Sequence, residues 1–289
     1  MALCSLFLGL ALAAKHPAPV VLLSLLAIGT ALAVFQPSNR AEDSRLRKFG
    51  KVLIVLAGAL AVLWSFHFFR YAESRTGEEQ FNRPLASKIA EVETPGFHLV
   101  LATMASTHIV PRAYLWGFAD TIHAGMEGRS YPQLAFGRIY FRKAPIYFFP
   151  GVLLVKLPIG LTLLSLLGLL LFLARRLPEE WNLSAGVILG GMFLFLLVLA
   201  NGATYAGIRH ALPVLVLLSI FGGIAAAILV SQNTGTPKII VGLAFVSASI
   251  SALPGMRPWE YYNEFDGGTK NAYKYFYDEG TDLGHKGRK

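Results

Sequence analysis

Three basic positions stand where a lipid bilayer tolerates charge poorly. Lys15 separates two apolar runs, Lys156 sits inside the run 152–158, and Arg209 with His210 precedes the run that starts at Ala211. A lysine at mid-membrane costs about 2.5–3.5 kcal/mol on insertion scales, so such a residue either serves a function or snorkels to the headgroups. Function is the preferred reading for Lys156, whereas Lys15 and Arg209 suit either. All three fall on one face of the membrane in the topology below. Basic side chains converging on one face make an anion site, with arginine offering a fork of donors and lysine a point charge. A phosphate carried by a lipid presents its anion at that depth.

Other residues with chemical potential lead less far. His123 and Glu127 have helical spacing, but no second histidine lies nearby, which argues against a zinc-protease arrangement. Asp278 and Asp282 match no calcium-loop spacing, so no metal is assigned and no cofactor is required. The single Cys4 excludes an intramolecular disulfide and a CxxC site. The formal net charge of +9 is spread over loops on both faces without a basic stripe, which argues against nucleic acid. It fits cytoplasmic anchoring and contact with anionic lipid.

The elements that must position these residues are membrane helices. Hydrophobic residues make up 54% of the chain and charged residues 15%, against about 25% charged in soluble domains. The apolar residues come in long blocks, and about 20 residues at 1.5 Å each cross a ~30 Å hydrocarbon core. The blocks are too continuous for barrel strands, which alternate in segments of about 10 residues. The expected fold is an all-α polytopic membrane protein with seven spans: 1–14, 17–35, 52–69, 146–174, 185–200, 211–230 and 239–253. Residues 1–254 are read as the transmembrane bundle and 255–289 as an extracytoplasmic tail.

Lys and Arg in short loops set the orientation. Arg40, Arg45, Arg47, Lys48 and Lys51 cluster in one loop, Arg175 and Arg176 in another, and Lys238 in a third. If each block crosses once, these loops share the cytoplasmic side. The segment 70–143 and the tail then lie outside. The outer segment is rich in aromatic residues beside arginine and lysine, as in 140–150, which marks a membrane interface. It is expected to fold as short helices rather than as a β-domain. Glycine pairs in the tail are read as turns. Ala11-Leu12-Ala13 could end a signal peptide, but no basic residue precedes the apolar run, so an internal span is preferred.

Several strings resemble bacterial members of glycosyltransferase family 39, which includes protein O-mannosyltransferases and the aminoarabinose transferases of lipid A. Residues 9–15, ending in Lys15, resemble that family's lysine-bearing helix end. Tyr147-Phe148-Phe149-Pro150 through Lys156-Leu157-Pro158 resembles its aromatic, proline and lysine stretch. Gly207-Ile208-Arg209-His210-Ala211-Leu212-Pro213 resembles its GxRHxLP string. Tyr262-Asn263-Glu264-Phe265 followed by Gly267-Gly268, and the acidic stretch from Asp278 to Gly284, resemble two strings near its end. In the latter Leu283 stands where tryptophan is usual and His285 replaces glutamine. The strings occur in the family's order.

The resemblance implies a GT-C fold and a bacterial inner (plasma) membrane enzyme, multi-pass, with its active face extracytoplasmic. It implies transfer of a sugar from a polyprenyl-phosphate donor to an acceptor protein, lipid or glycan. Lys15, Lys156 and Arg209 would stabilise the leaving phosphate, with His210 and Tyr205 orienting phosphate or sugar. Asn263, Glu264, Asp278 and Asp282 would border the acceptor. The family's general base lies on a first outer loop. The resemblance therefore puts that base upstream of Met1 and makes this chain an N-terminally truncated fragment, inactive alone. The alternatives are a multi-span transporter, suggested by Pro150 and Pro158 in one span, and a non-catalytic membrane scaffold.

Overall fold

The computed structural model describes residues 1–14, 18–35, 44–128, 132–203, 208–252, 261–268, 271 and 274–275. It is mostly helical, and the chain divides into two compact units, 1–129 and 130–289.

The first unit opens with α1 (Ala2–Ala14), α2 (Ala18–Phe35) and α3 (Arg45–Phe66). Helix α3 starts where the Ser44 hydroxyl accepts the Arg47 N–H at 3.3 Å. It begins seven residues before the expected span, because the basic residues 45–51 continue the helix instead of forming a loop. It ends three residues early. Phe68 N–H donates to Ser65 C=O and Phe69 N–H to Trp64 C=O, both at 3.0 Å, and Phe68 takes φ 54°. This is the Schellman termination, with phenylalanine in the left-handed position that usually holds glycine. Beyond it lie α4 (Leu85–Ala90), α5 (Pro95–Thr107) and α6 (Arg112–Ile122), and α6 runs on into a π-helical turn at His123–Glu127.

Small residues set the approach of α1 to α3. A Cβ on Gly58 would strike the Ser5 side chain, and one on Gly9 would strike Val62 and the Ala59 carbonyl. Lipid tails give no hydrophobic drive for helices to associate, so close backbone approach through small residues supplies the packing instead.

The second unit holds a two-stranded antiparallel hairpin, β1 (Pro132–Ala135) and β2 (Arg138–Phe141), then α7 (Phe148–Lys156), α8 (Ile159–Leu173), α9 (Glu179–Asn201), α10 (Leu212–Val230) and α11 (Gly235–Ala252). The hairpin corrects the expectation of short helices throughout 70–143. Phe136 and Gly137, at φ 52° and 73°, form the two-residue turn, with both central residues at positive φ as a type I′ hairpin requires. The expected fourth span, 146–174, is two helices. Pro158 has no N–H to continue α7 and instead stands at the N-cap of α8.

Helix α8 packs through glycine. A Cβ on Gly168 would fall on the Phe221 carbonyl of α10, and one on Gly160 on the Ala244 carbonyl of α11. Large apolar side chains point outward: Leu163, Leu166 and Leu170 on α8, Phe193 on α9 and Phe245 on α11 are all exposed. Water does not support such a surface, whereas a bilayer does. Among the described residues, α3, α9 and α10 are long and apolar enough to cross a membrane. The shorter apolar helices do not by themselves establish seven crossings.

Candidate functional site

The break between α7 and α8 is the most highly organised polar feature of the second unit. In a continuous helix the Leu154 carbonyl would accept from residue 158, and proline has no hydrogen to give. Asn263 supplies the missing donors. Its Nδ2 donates to the carbonyls of Leu154 at 2.6 Å and Leu157 at 2.8 Å, and its backbone N–H donates to Val155 at 2.8 Å. Its Oδ1 accepts the Phe265 N–H at 3.0 Å. Asn263 is fully buried, where carbonyls cut off from water need a protein donor.

That capping sets the place of Lys156, the last residue of α7. Its side chain is buried at 6% exposure, and Nζ lies 3.8 Å from the centroid of the Tyr262 ring. A cation over an aromatic face gains from the ring quadrupole, more so when desolvated. A lysine in the last turn also opposes the negative end of the helix dipole. Tyr262 is itself buried and immediately precedes Asn263, so one dipeptide both closes the broken helix and seats its lysine.

Arg209 and His210 lie on a 3-10 turn, Ile208–His210, that sits against α7. The turn Glu264–Asp266 also sits against α7. Arg209 is exposed and His210 half-buried. Glu264 is exposed and accepts the Ser251 hydroxyl at 2.9 Å. The second unit therefore gathers Lys156, Arg209, His210, Asn263 and Glu264 around one short helix. Lys15, Tyr205, Asp278 and Asp282 lie outside the described residues.

The other end of α7 carries an aromatic cluster. Phe136, at the hairpin tip, has its ring centroid 5.3 Å from Tyr147 and 6.4 Å from Phe148. A Cβ on Gly151 would collide with that ring. The Gly137 N–H donates to the Tyr275 carbonyl at 3.0 Å, which ties the tail to the hairpin. Gly267 and Gly268, at φ 73° and 76°, make the turn expected of that pair.

The polar groups of the first unit are largely engaged with one another. Arg112 grips the Glu73 carboxylate at two points, Nε–Oε2 2.9 Å and Nη2–Oε1 2.8 Å. Burial pushes the Glu73 carboxyl up, but the Arg112 hydrogen bonds and the Gln80 N–H hold it below the usual range. Lys88, buried, pairs with Asp120 at 2.6 Å and lies 5.0 Å from the Trp116 ring centroid. His123 Nδ1 is 3.0 Å from Glu127 Oε2, and Glu127 Oε1 accepts the Thr94 N–H at 2.7 Å. The pair thus ties the π-helical turn after α6 to the N-terminal end of α5. Among the described residues no three histidine, cysteine or acidic side chains gather as a metal site would need.

Sequence reasoning gave no role to Tyr262, Phe136 or Gly151. Pro158 signalled that α7 must end, but nothing local identifies a capping residue more than 100 positions away. Comparison with family models, curated proteins and solved structures finds no match.

Proposed function

We propose that this chain is a membrane glycosyltransferase that uses a sugar on a polyprenyl phosphate as donor and an extracytoplasmic acceptor. In this reading it crosses a bacterial inner membrane seven times, with α7 and α8 forming one interrupted crossing. The observation that carries the reading is the meeting of Lys156 with Tyr262 and Asn263. Two of the strings that resemble family 39, far apart in sequence, pack as one unit around a buried ammonium. The third, with Arg209 and His210, lies against the same helix.

The chemistry follows from those cations. An acceptor hydroxyl oxygen attacks the anomeric carbon and forms the new C–O bond. The bond from that carbon to the lipid phosphate breaks, and its electron pair goes to the phosphate oxygen. Fixed cations that meet this charge in a dry site lower the barrier most. Lys156 and Arg209 serve that need. The acceptor proton goes to a carboxylate that the family carries on its first outer loop.

A transporter reading would use the broken helix to coordinate an ion through free carbonyls. Here the carbonyls of Leu154, Val155 and Leu157 are taken by Asn263, which favours a phosphate site over an ion site.

Photo-crosslinking tests the proposal. A diazirine-bearing polyprenyl phosphate is added to the chain in nanodiscs, and the modified peptides are mapped. Adducts should fall on α7 or on 208–210 and be competed by polyprenyl phosphate but not by the alcohol. Adducts spread evenly over the lipid-facing helices, or equal competition by the alcohol, would overturn the assignment.

A further inference from the structure

The first unit contains a groove of ≈ 590 Å³ bounded by α1, α2 and α3. Pockets of about 300–1,000 Å³ hold small ligands. Its walls are apolar, with Phe7 from α1, Leu26 from α2 and Val52 and Leu56 from α3. One charged residue, Lys51, lines it.

The cations continue the groove along α3. Lys48, Val52 and Leu56 stand four residues apart, as do Arg47, Lys51 and Val55, so each row passes from basic residues into the groove wall. Ser5 meets Gly58 and Gly9 meets Val62, so α1 runs in the same direction as α3 with a constant offset. Met1 is then level with Ile54, and Lys51 lies about 4.5 Å further along at 1.5 Å per residue. The three helices contain no Asp or Glu, and the stretch 36–51 carries net charge +3 with Glu42 and Asp43 counted.

We infer that the groove holds an acyl chain of an anionic phospholipid whose phosphate is taken by Arg47, Lys48 and Lys51. An apolar trough with cations at one end complements a molecule with an apolar tail and an anionic head. Lys and Arg at the start of a membrane helix attract anionic headgroups, and an arginine fork suits a phosphate. On the loop-charge reading this is a lipid of the cytoplasmic leaflet. The site lies wholly in the first unit and stands or falls independently of the donor site.

Cys4 is the single cysteine, is exposed and lines the groove, so it reports occupancy directly. The rate of its alkylation by N-ethylmaleimide is measured on the whole chain in detergent micelles. Additions are phosphatidylglycerol, phosphatidylcholine or sodium phosphate. Phosphatidylglycerol should slow the reaction by about tenfold or more, and the other two should leave it nearly unchanged. The combined variant Arg47→Gln, Lys48→Gln, Lys51→Gln should react like wild type without lipid and lose the slowing by phosphatidylglycerol. Equal slowing by the two phospholipids, slowing by phosphate alone, no slowing, or slowing retained in the variant would each overturn the proposal. So would slowing that depends on protein concentration without lipid, which would put a second copy in the groove.

Discussion

Asn263 supplies the hydrogen that Pro158 lacks: its amide donates to the Leu154 carbonyl, which a non-proline residue at 158 would otherwise bond. The proline breaks the helix and the asparagine heals the break.

Asn263→Ala should therefore destabilise the second unit. Two carbonyls lose their side-chain donor in a buried site, at about 1–3 kcal/mol for each group left unsatisfied. Asn263→Asp should be as damaging, because an oxygen replaces the donating nitrogen. Unfolding in mixed micelles followed by circular dichroism measures this. Stability unchanged in both variants would mean that the cap contributes little.

The hairpin tip makes a second prediction. Gly151→Ala should push the Phe136 ring off α7 and cost about 1–3 kcal/mol, as overpacking does. Adding Phe136→Ala should recover part of that loss, because the obstructing ring is gone. The two changes are coupled and should not add. Additive losses in the double variant would place the ring elsewhere.

Much of this architecture was legible in the sequence. Long apolar blocks marked the helices and Gly267 and Gly268 marked a turn, whereas 146–174 read as one span, with Pro150 and Pro158 suggesting a broken helix only in the transporter alternative. The hairpin was not legible, because Phe136-Gly137 is not a usual two-residue turn and the aromatic residues read equally well as an interfacial belt. Nor was the seat of Lys156. Its partners Tyr262 and Asn263 come from the tail, and only the folded chain brings them to α7. Helix-period patterns report which face is apolar. They do not report which distant residue fills an orphaned carbonyl.

Glycines on α8 and α10 allow a test of helix approach. Gly160→Ala and Gly168→Ala put a Cβ onto a neighbouring backbone carbonyl, whereas a Cβ on Gly223 meets nothing. The first two should lower the unfolding free energy, by about 1–3 kcal/mol each. Gly223→Ala should be neutral or slightly stabilising, since alanine favours the helix. A comparable loss at all three would contradict the packing.

The Glu73–Arg112 pair predicts acid sensitivity. The Glu73 carboxyl titrates below its ordinary range in the folded state. Its contribution is therefore present above the unfolded carboxylate value, about 4.3, and is lost as pH falls through the folded value. Amide protection in 71–83, taken relative to the intrinsic exchange rate at each pH, should fall below about pH 4 in wild type. In Glu73→Gln the protection should already be lowered at neutral pH, by roughly 1.5–3 kcal/mol, and should vary less with acid. Protection that falls with rising pH instead would reverse the assigned sign.

The most direct measurement is the affinity of the chain in nanodiscs for a polyprenyl-phosphate analogue, with and without Arg209. A charge-assisted bond of roughly 1.5–3 kcal/mol corresponds to about 10–100-fold in Kd. Arg209→Ala should weaken binding by that factor and Arg209→Lys by less, because the charge remains but the fork is gone. Affinity for the unphosphorylated alcohol should not change. Equal Kd values for wild type and Arg209→Ala would contradict the claim that this face of α7 holds a lipid phosphate.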